Sequence, residues 1–339
     1  MAELEGFRRR QCDVWLIAPE GSAVAKRAAT AGIDTVPLRT TRTGFLFETI
    51  RIARWLRHHR VEVVNTHSSR DGWLVGIAAR LARSPSIVRT RHIDVDYPNR
   101  WISRHAFTTF ADHVFTTSRK ITSHFQEIFR IPDHRISTIP TGIDLELFSP
   151  PNTNPANAPG SPVVGMVSVL RSWKGHSTFL DAAQRLVAGG FNGRFAIVGE
   201  GPMRSSIEAS IRELNLSSRV TLTGHREDVP EVLHGMDVLV IASTKHEGVP
   251  QIGLQALATR TPVVGSDVGG TPEIIRDGET GRVFPAGDAA ALAQAILDTL
   301  RDSGTRALTA RGRKLVEAGH SLESMLDAIE TVYNRLVPR

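Results

Sequence analysis

The sequence predicts an α/β protein made of two doubly wound, parallel-sheet domains in tandem. Three observations predict it. Short apolar runs alternate with amphipathic ones along the chain, a proline-rich stretch interrupts them near the middle, and the alternation then restarts. The 339 residues suffice for two domains of ordinary size, each with its own core. No run of 18 apolar residues occurs, so no transmembrane helix is expected, and the opening MAELEGFRRRQCDVWLIAP lacks the cleavage site of a signal peptide. Cys12 is the one cysteine, which leaves a reducing compartment as the expectation.

In the first half, strands are expected at Cys12–Ala18, Thr35–Leu38, Val61–Thr66, Ser86–Arg91, His113–Thr117 and Arg135–Ile139. Helices are expected at Ser22–Ala31, Gly44–His58, Asp71–Ala82, Asn99–Ala111 and Arg119–Phe129. The first domain is read as residues 1–149. Residues 150–162 (PPNTNPANAPGSP) hold five prolines and no large apolar side chain, the composition of an extended linker. The second domain, 163–339, restarts with the apolar strand Val163–Val169. It ends in three helical patterns over 288–336, the last of which is a helix able to cross back to the first domain.

Charge is unevenly divided. Residues 1–150 carry 22 Lys and Arg against 15 Asp and Glu, a net +7, and the rest carry −1. No zinc finger or RNA-binding signature accompanies the basic half, which argues against nucleic acid and leaves two readings, an anionic membrane face or acidic acceptor, and a merely solvated surface. Gly44–Arg60 (GFLFETIRIARWLRHHR) is amphipathic and basic. It reads first as a helix packed on the sheet with cations at its C-terminus, and second as a membrane-surface helix.

The chemistry concentrates at 237–275. Asp237–Ala242 and Thr261–Ser266 read as buried strands. Each turns into a helix start, one near Pro250 (with proline expected at the first helical position), the other at Thr271-Pro272 behind Gly269-Gly270. Such turns lie at the carboxyl edge of a parallel sheet, where free N–H groups suit phosphate. Glu247 in the first turn, with Gln251 and Gln255 one helical turn apart, suits sugar hydroxyls. A nucleotide sugar carries both groups. Lys174, just before another helix start, adds a point charge. His67 and His92 each end an expected strand at the carboxyl edge of the first domain. The weak Gly-Glu-Gly turn at Gly199–Gly201 does not make a dinucleotide fingerprint, and no metal-ligand cluster is expected; Asp94-Val95-Asp96 reads as a loop feature rather than a metal motif.

The stretch from Glu247 through PVVGSDVGGTPEII resembles the family-4 retaining glycosyltransferases of GT-B architecture, whose signature is Glu, seven residues, Glu, then a small-residue strand and a Gly-Gly turn into Pro-Glu. Gln255 stands where the second Glu is usual. Further matches are Lys174-Gly175, IPTGIDLELF at 139–148, and Gly224 with Arg226–Val229; the resemblance spans about 12–335. It implies two Rossmann-like domains facing across a cleft, and a hexosyltransferase-type enzyme that needs no cofactor beyond its nucleoside-diphosphate sugar (UDP-sugar or another) and no metal. Its acceptor would be a glycan or glycolipid of lipopolysaccharide or polysaccharide assembly, and its location cytoplasmic, peripheral at the inner membrane face.

By the same resemblance His92 and Glu247 belong to the reacting centre, and Lys174, Arg171, Val249, Gln251, Ile252 and Gly270 bind the donor diphosphate. Gly199, Glu200, Arg226 and Gln255 lie by the nucleoside, and His67, Arg91 and Asp94 on the acceptor side. Arg171 is two positions from the family's usual arginine. Glu3–Arg10 looks like the tail of the family's first helix, so the chain reads as lacking the opening strand and turn. Beside this reading stand two others: a nucleotide-sugar-binding accessory protein, and a sugar-nucleotide epimerase on the same plan.

Overall fold

The computed structural model describes residues 1–39, 44–83, 86–92, 100–151 and 161–337. The chain forms two compact units, Met1–Gly142 with Leu322–Arg339, and Ile143–Ser321.

The first unit runs α1 (Ala2–Arg9), β1 (Trp15–Pro19), α2 (Ala23–Thr30), β2 (Asp34–Leu38), α3 (Phe45–His58), β3 (Val63–Thr66), α4 (Ser69–Ala82), β4 (Ser86–Arg91), α5 (Arg100–Thr108), β5 (His113–Thr116), α6 (Arg119–Phe129) and β6 (Ile136–Thr138). All its strand pairs are parallel, so each connection must cross over, and helices supply the crossovers. Side chains alternate along the strands and divide the core. Ile87 joins the apolar faces of α3 and α4, Val114 those of α5 and α6, while Val88 and Phe115 join Phe7 of α1 on the opposite face. Ser22 and Ser118 cap α2 and α6 by accepting from the amides of Ala25 and Ile121.

Where one continuous sheet is expected, the strands fall into two pieces: a β1–β2 pair, and four strands in the order β3-β4-β5-β6. One edge of β1 and one edge of β3 have no partner strand among the described residues. Trp15, Leu16 and Ile17 are accordingly only half-buried, whereas β5 is buried throughout.

The second unit runs β7 (Val163–Val167), α7 (His176–Ala188), β8 (Arg194–Val198), α8 (Arg204–Glu213), β9 (Val220–Gly224), α9 (Val229–His234), β10 (Val238–Ile241), α10 (Gln251–Thr259), β11 (Val263–Ser266), α11 (Thr271–Ile274), β12 (Arg282–Phe284), α12 (Ala289–Arg301) and α13 (Thr305–Gly319). Its sheet is parallel, in the order β12-β11-β10-β7-β8-β9. The chain moves outward from β7 through β8 and β9, then returns to the other side of β7 at β10. The order therefore reverses between β7 and β10, which defines a switch point in the sense of doubly wound folds.

The last helix, α14 (Leu322–Leu336), belongs to the first unit. Leu326, Ile329 and Val332 join Phe7 and Phe115, and Phe7 stacks on Tyr333 with ring centroids 5.6 Å apart. Gly6 lets α1 and α14 meet closely, since a Cβ there would lie 2.4 Å from Leu326.

The boundary differs from the expected residue 149. Ile143 and Phe148 are buried in the core of the second unit, and the carbonyls of Phe148 and Ser149 are held by Arg313 and His234. Two buried apolar side chains, each contributing about 2 kcal/mol, tie this segment to the later unit. Most of the proline-rich segment, 152–160, lies outside the described residues.

Candidate active site

In the second unit the sequence builds the site at the switch point. The turn after β7 carries Ser172–Lys174 and ends at Gly175, whose φ is +75° and where a Cβ would sit 1.8 Å from the Ala242 carbonyl oxygen. Only glycine lets the two turns approach this closely. The turn after β10 answers from the other side: the Thr244 amide donates to the Trp173 carbonyl at 2.8 Å, and the Lys174 ammonium donates to Glu247 Oε2 at 2.7 Å. Ser243 Oγ donates to the same oxygen. Glu247 is buried and Lys174 partly so, which makes this the charged centre of the crevice. Gly269 brings the turn after β11 onto Glu247, because a Cβ there would lie 1.9 Å from the Glu247 carbonyl oxygen at φ +62°.

The expected phosphate donors divide in two. Pro250 is the N-cap of α10 rather than its first residue. Among the described residues the amides of Val249, Gln251 and Ile252 donate to no backbone carbonyl, so that helix end is open. The Gly270 amide is instead spent on the carbonyls of Glu247 and Gly248. Gly270 rather than Thr271 caps the single-turn α11. Arg171 is exposed beside this crevice, its guanidinium 5.1 Å from the Trp173 ring, and Trp173 meets His246 edge-on at 6.1 Å. His176 is buried behind the turn, between Ser168 Oγ at 3.1 Å and the Arg171 carbonyl. Desolvation pushes it down to about 4, with Lys174 adding to the effect, so it is a neutral brace.

The expected nucleoside neighbours lie along β8 and β9. Gly199 approaches the Ser168 carbonyl, and the Glu200 carbonyl accepts from the Leu170 amide. The Glu200 side chain is paired with Arg204, and Arg226 with Asp228 through both of its arms. Gln255 is half-buried on α10, one turn from the exposed Gln251.

In the first unit, His67 and His92 follow β3 and β4. Their rings lie parallel, 5.3 Å apart, with His67 Nδ1 3.0 Å from His92 Nε2. His92 is pushed down to about 4, first by desolvation and then by His67, Arg91 and the chain amino terminus. Its ring keeps an exposed side, so these positive neighbours matter alongside burial. Arg91 ends β4 beside it; Asp94 lies outside the described residues. Sequence reasoning missed Ser243, Trp173 and Glu3, which reaches His67 at 3.8 Å. Only Ser243, in the motif stretch, had a local signal. Among the described residues no three His, Cys, Asp or Glu side chains gather as a metal-ligand set, and no helix is long and apolar enough to cross a membrane.

A parallel sheet of this order in the second unit, with a lysine–carboxylate pair and an open helix end at its switch point, defines a class: doubly wound α/β domains that bind ligands at the carboxyl edge of the sheet. Comparison with known proteins narrows it. The family described as "Glycosyltransferase Family 4" matches residues 2–147, and "Glycosyl transferases group 1" matches residues 161–302. The chain belongs to these group 1, family 4 glycosyltransferases.

It is 27% identical over 314 residues to the Escherichia coli UDP-Gal:alpha-D-GlcNAc-diphosphoundecaprenol alpha-1,3-galactosyltransferase, covering 85% of this chain and 79% of the relative. It is 29% identical over 292 residues to the lipopolysaccharide core biosynthesis mannosyltransferase LpcC of Rhizobium leguminosarum bv. viciae, covering 80% and 78%. The fold is shared with a Rickettsia africae glycosyltransferase (TM-score 0.89, 20% identity, 100% of this chain and 94% of the other). It is shared too with Anabaena HepE, solved with UDP-glucose (TM-score 0.87, 18% identity, 98% and 94%).

Proposed function

We propose that this enzyme moves a hexosyl group from a nucleoside-diphosphate sugar to a hydroxyl of a glycan or glycolipid, with retention at the anomeric carbon and without a metal ion at the diphosphate. The observation that carries the reading is the Lys174–Glu247 pair at the switch point of the second unit, in the same turn that leads to the open amides of α10. Lys174 and the amides of Val249, Gln251 and Ile252 supply fixed positive charge for the departing diphosphate. Glu247 takes hydroxyls of the sugar, and Gln255 those of the ribose. The bond from the anomeric carbon to the diphosphate oxygen breaks. A bond to the acceptor oxygen forms on the same face, and the acceptor proton passes to the leaving phosphate.

The relatives named above support the donor and acceptor classes: a UDP-galactose enzyme acting on a lipid-linked sugar, a lipopolysaccharide mannosyltransferase, and a neighbour that holds UDP-glucose. We place the enzyme in the cytoplasm, with the first unit against an anionic membrane. Phe45, Leu46 and Phe47 stand exposed at the start of α3, and Arg54 and Arg57 stand exposed toward its end, as interfacial helices require.

The test is turnover of UDP-, GDP- and ADP-hexoses with lipid-linked saccharides, with and without EDTA, with the product anomer read by NMR. Expected are release of the nucleoside diphosphate unaffected by EDTA, and an α product from an α donor. Activity lost to EDTA and restored by Mg²⁺ or Mn²⁺ refutes metal independence, and an inverted product refutes retention.

A further inference from the structure

The polar cluster around His67 and His92 does more than place two rings at a strand edge. From α1, Glu3 Oε1 accepts from Tyr333 Oη at 2.9 Å and from Asn65 Nδ2 at 3.1 Å, and Asn65 Oδ1 in turn accepts from Thr90 at 2.8 Å. Tyr333 is half-buried and desolvation pushes its phenol up, so it remains a donor. Two donors on one oxygen hold the carboxylate still and turn its other oxygen, Oε2, toward His67 Nε2 at 3.8 Å. At 3.8 Å the carboxylate is beyond hydrogen-bond reach, but its negative charge favours the hydrogen of His67 on the nearer nitrogen, Nε2. In neutral His67 the other nitrogen, Nδ1, then holds a lone pair, and it faces His92 Nε2 at 3.0 Å. Two ring nitrogens at that distance need one hydrogen between them, which must sit on His92 Nε2.

We propose that Glu3 and His67 act as positioning residues that fix His92 in the tautomer with a hydrogen on Nε2 and a lone pair on Nδ1, so that the carboxyl edge of the first unit offers an acceptor to a sugar hydroxyl. The ligand half rests on the function proposed above; the tautomer half does not. Among the described residues His92 Nδ1 has no recorded partner. Among the described residues the charged and titratable groups acting on His92 are His67 after β3, Arg91 at the end of β4 and the chain amino terminus, with Glu3 reaching it only through His67; after β5 the Thr117 hydroxyl donates to the His92 carbonyl. Protonating His67 reverses the arrangement: both its nitrogens then donate, His92 Nε2 must accept, and Nδ1 turns into a donor.

The experiment is long-range ¹H–¹⁵N spectroscopy of the histidine rings in the full chain, without ligand, across a pH titration. Expected is His92 with a protonated Nε2 and a bare Nδ1, switching tautomer in step with the protonation of His67. Glu3→Gln should abolish that single tautomer without lowering the melting temperature. A His92 that carries its hydrogen on Nδ1 at every pH, or that ignores Glu3→Gln, overturns the proposal.

Kinetics separate the ligand half. Glu3→Gln should lower kcat/KM about fivefold, the worth of one hydrogen bond. It should cost nothing in a His92→Gln background, where an amide carbonyl replaces the lone pair. The same fivefold cost in both backgrounds shows that Glu3 does not act through His92. The expected tautomer in a protein that turns over no nucleotide sugar leaves the positioning intact and refutes the function.

Discussion

Glu247→Gln should tighten the binding of free UDP or GDP, while Lys174→Met weakens it. The reason lies in the 2.7 Å ion pair between the two. With side chains 24% and 10% exposed, the pair is neither fully wet nor fully dry, and a charge-assisted hydrogen bond there is worth about 2 kcal/mol. A diphosphate arriving at Lys174 must share the ammonium with Glu247 or displace it, so part of its attraction is spent on undoing that bond. Replacing the carboxylate by an amide of the same shape keeps a partner for Ser243 and removes about 1 kcal/mol of this competition, a gain of roughly fivefold in affinity. Removing the ammonium forfeits a charge-assisted contact and leaves Glu247 as a buried carboxylate beside the incoming phosphates, a loss of roughly 2–4 kcal/mol. Isothermal titration with the free nucleoside diphosphate is the appropriate assay, because without a sugar the second role of Glu247 drops out. Transfer itself should fall in both variants. Glu247→Gln weakening UDP and GDP as much as Lys174→Met would refute the competition and the crevice as a diphosphate site.

His113 is buried between Ser137 and Arg335, and because Arg335 can only donate, its Nδ1 must accept. It is pushed down to about 4 by desolvation first, then by Arg335, Arg135 and His134. The unfolded ring protonates near 6.5 and the folded one does not, so its effect on stability is nil above about pH 6.5 and is a loss of about 3 kcal/mol as pH falls to 4. Urea unfolding at several pH values should show this slope reduced in His113→Gln. Gly175→Ala, with its Cβ driven into the Ala242 carbonyl, should cost on the order of 3 kcal/mol and abolish nucleotide binding. Gly287→Ala, equally left-handed at φ +83° but with open space around it, should cost about 1 kcal/mol and leave binding alone; similar melting temperatures for the two would count against the close approach. Leu46→Ser with Phe47→Ser should leave melting unchanged but cut co-sedimentation with anionic vesicles severalfold, and retained binding removes α3 as the contact.

Much of the fold was legible because buried parallel strands write themselves as continuous apolar runs. Val238–Ile241 and Val263–Ser266 are buried at every residue, and their sequences announce it. The turns were legible too, since Gly175 and Gly269 fill conformations that other residues resist. The domain boundary was not. Ile143 and Phe148 have the same apolar character whichever core they enter, and only the packing beneath Arg313 decides. Pro250 was misread by one position because a proline suits both the cap and the first turn. The pairing of Lys174 with Glu247 joins turns 73 residues apart, and the Glu3 network joins both ends of the chain; neither leaves a local pattern.

Among the described residues the outer flanks of β1 and β3 lack a partner strand, and this has its own consequence. Each presents a column of main-chain N–H and C=O groups whose needs water meets only loosely, next to apolar side chains such as Trp15, Ile17 and Val63 that stay half wet. Any extended peptide able to lie along such a column gains a ladder of hydrogen bonds and shelter for alternate side chains at once. At high concentration another molecule of the same enzyme is one source of such a strand.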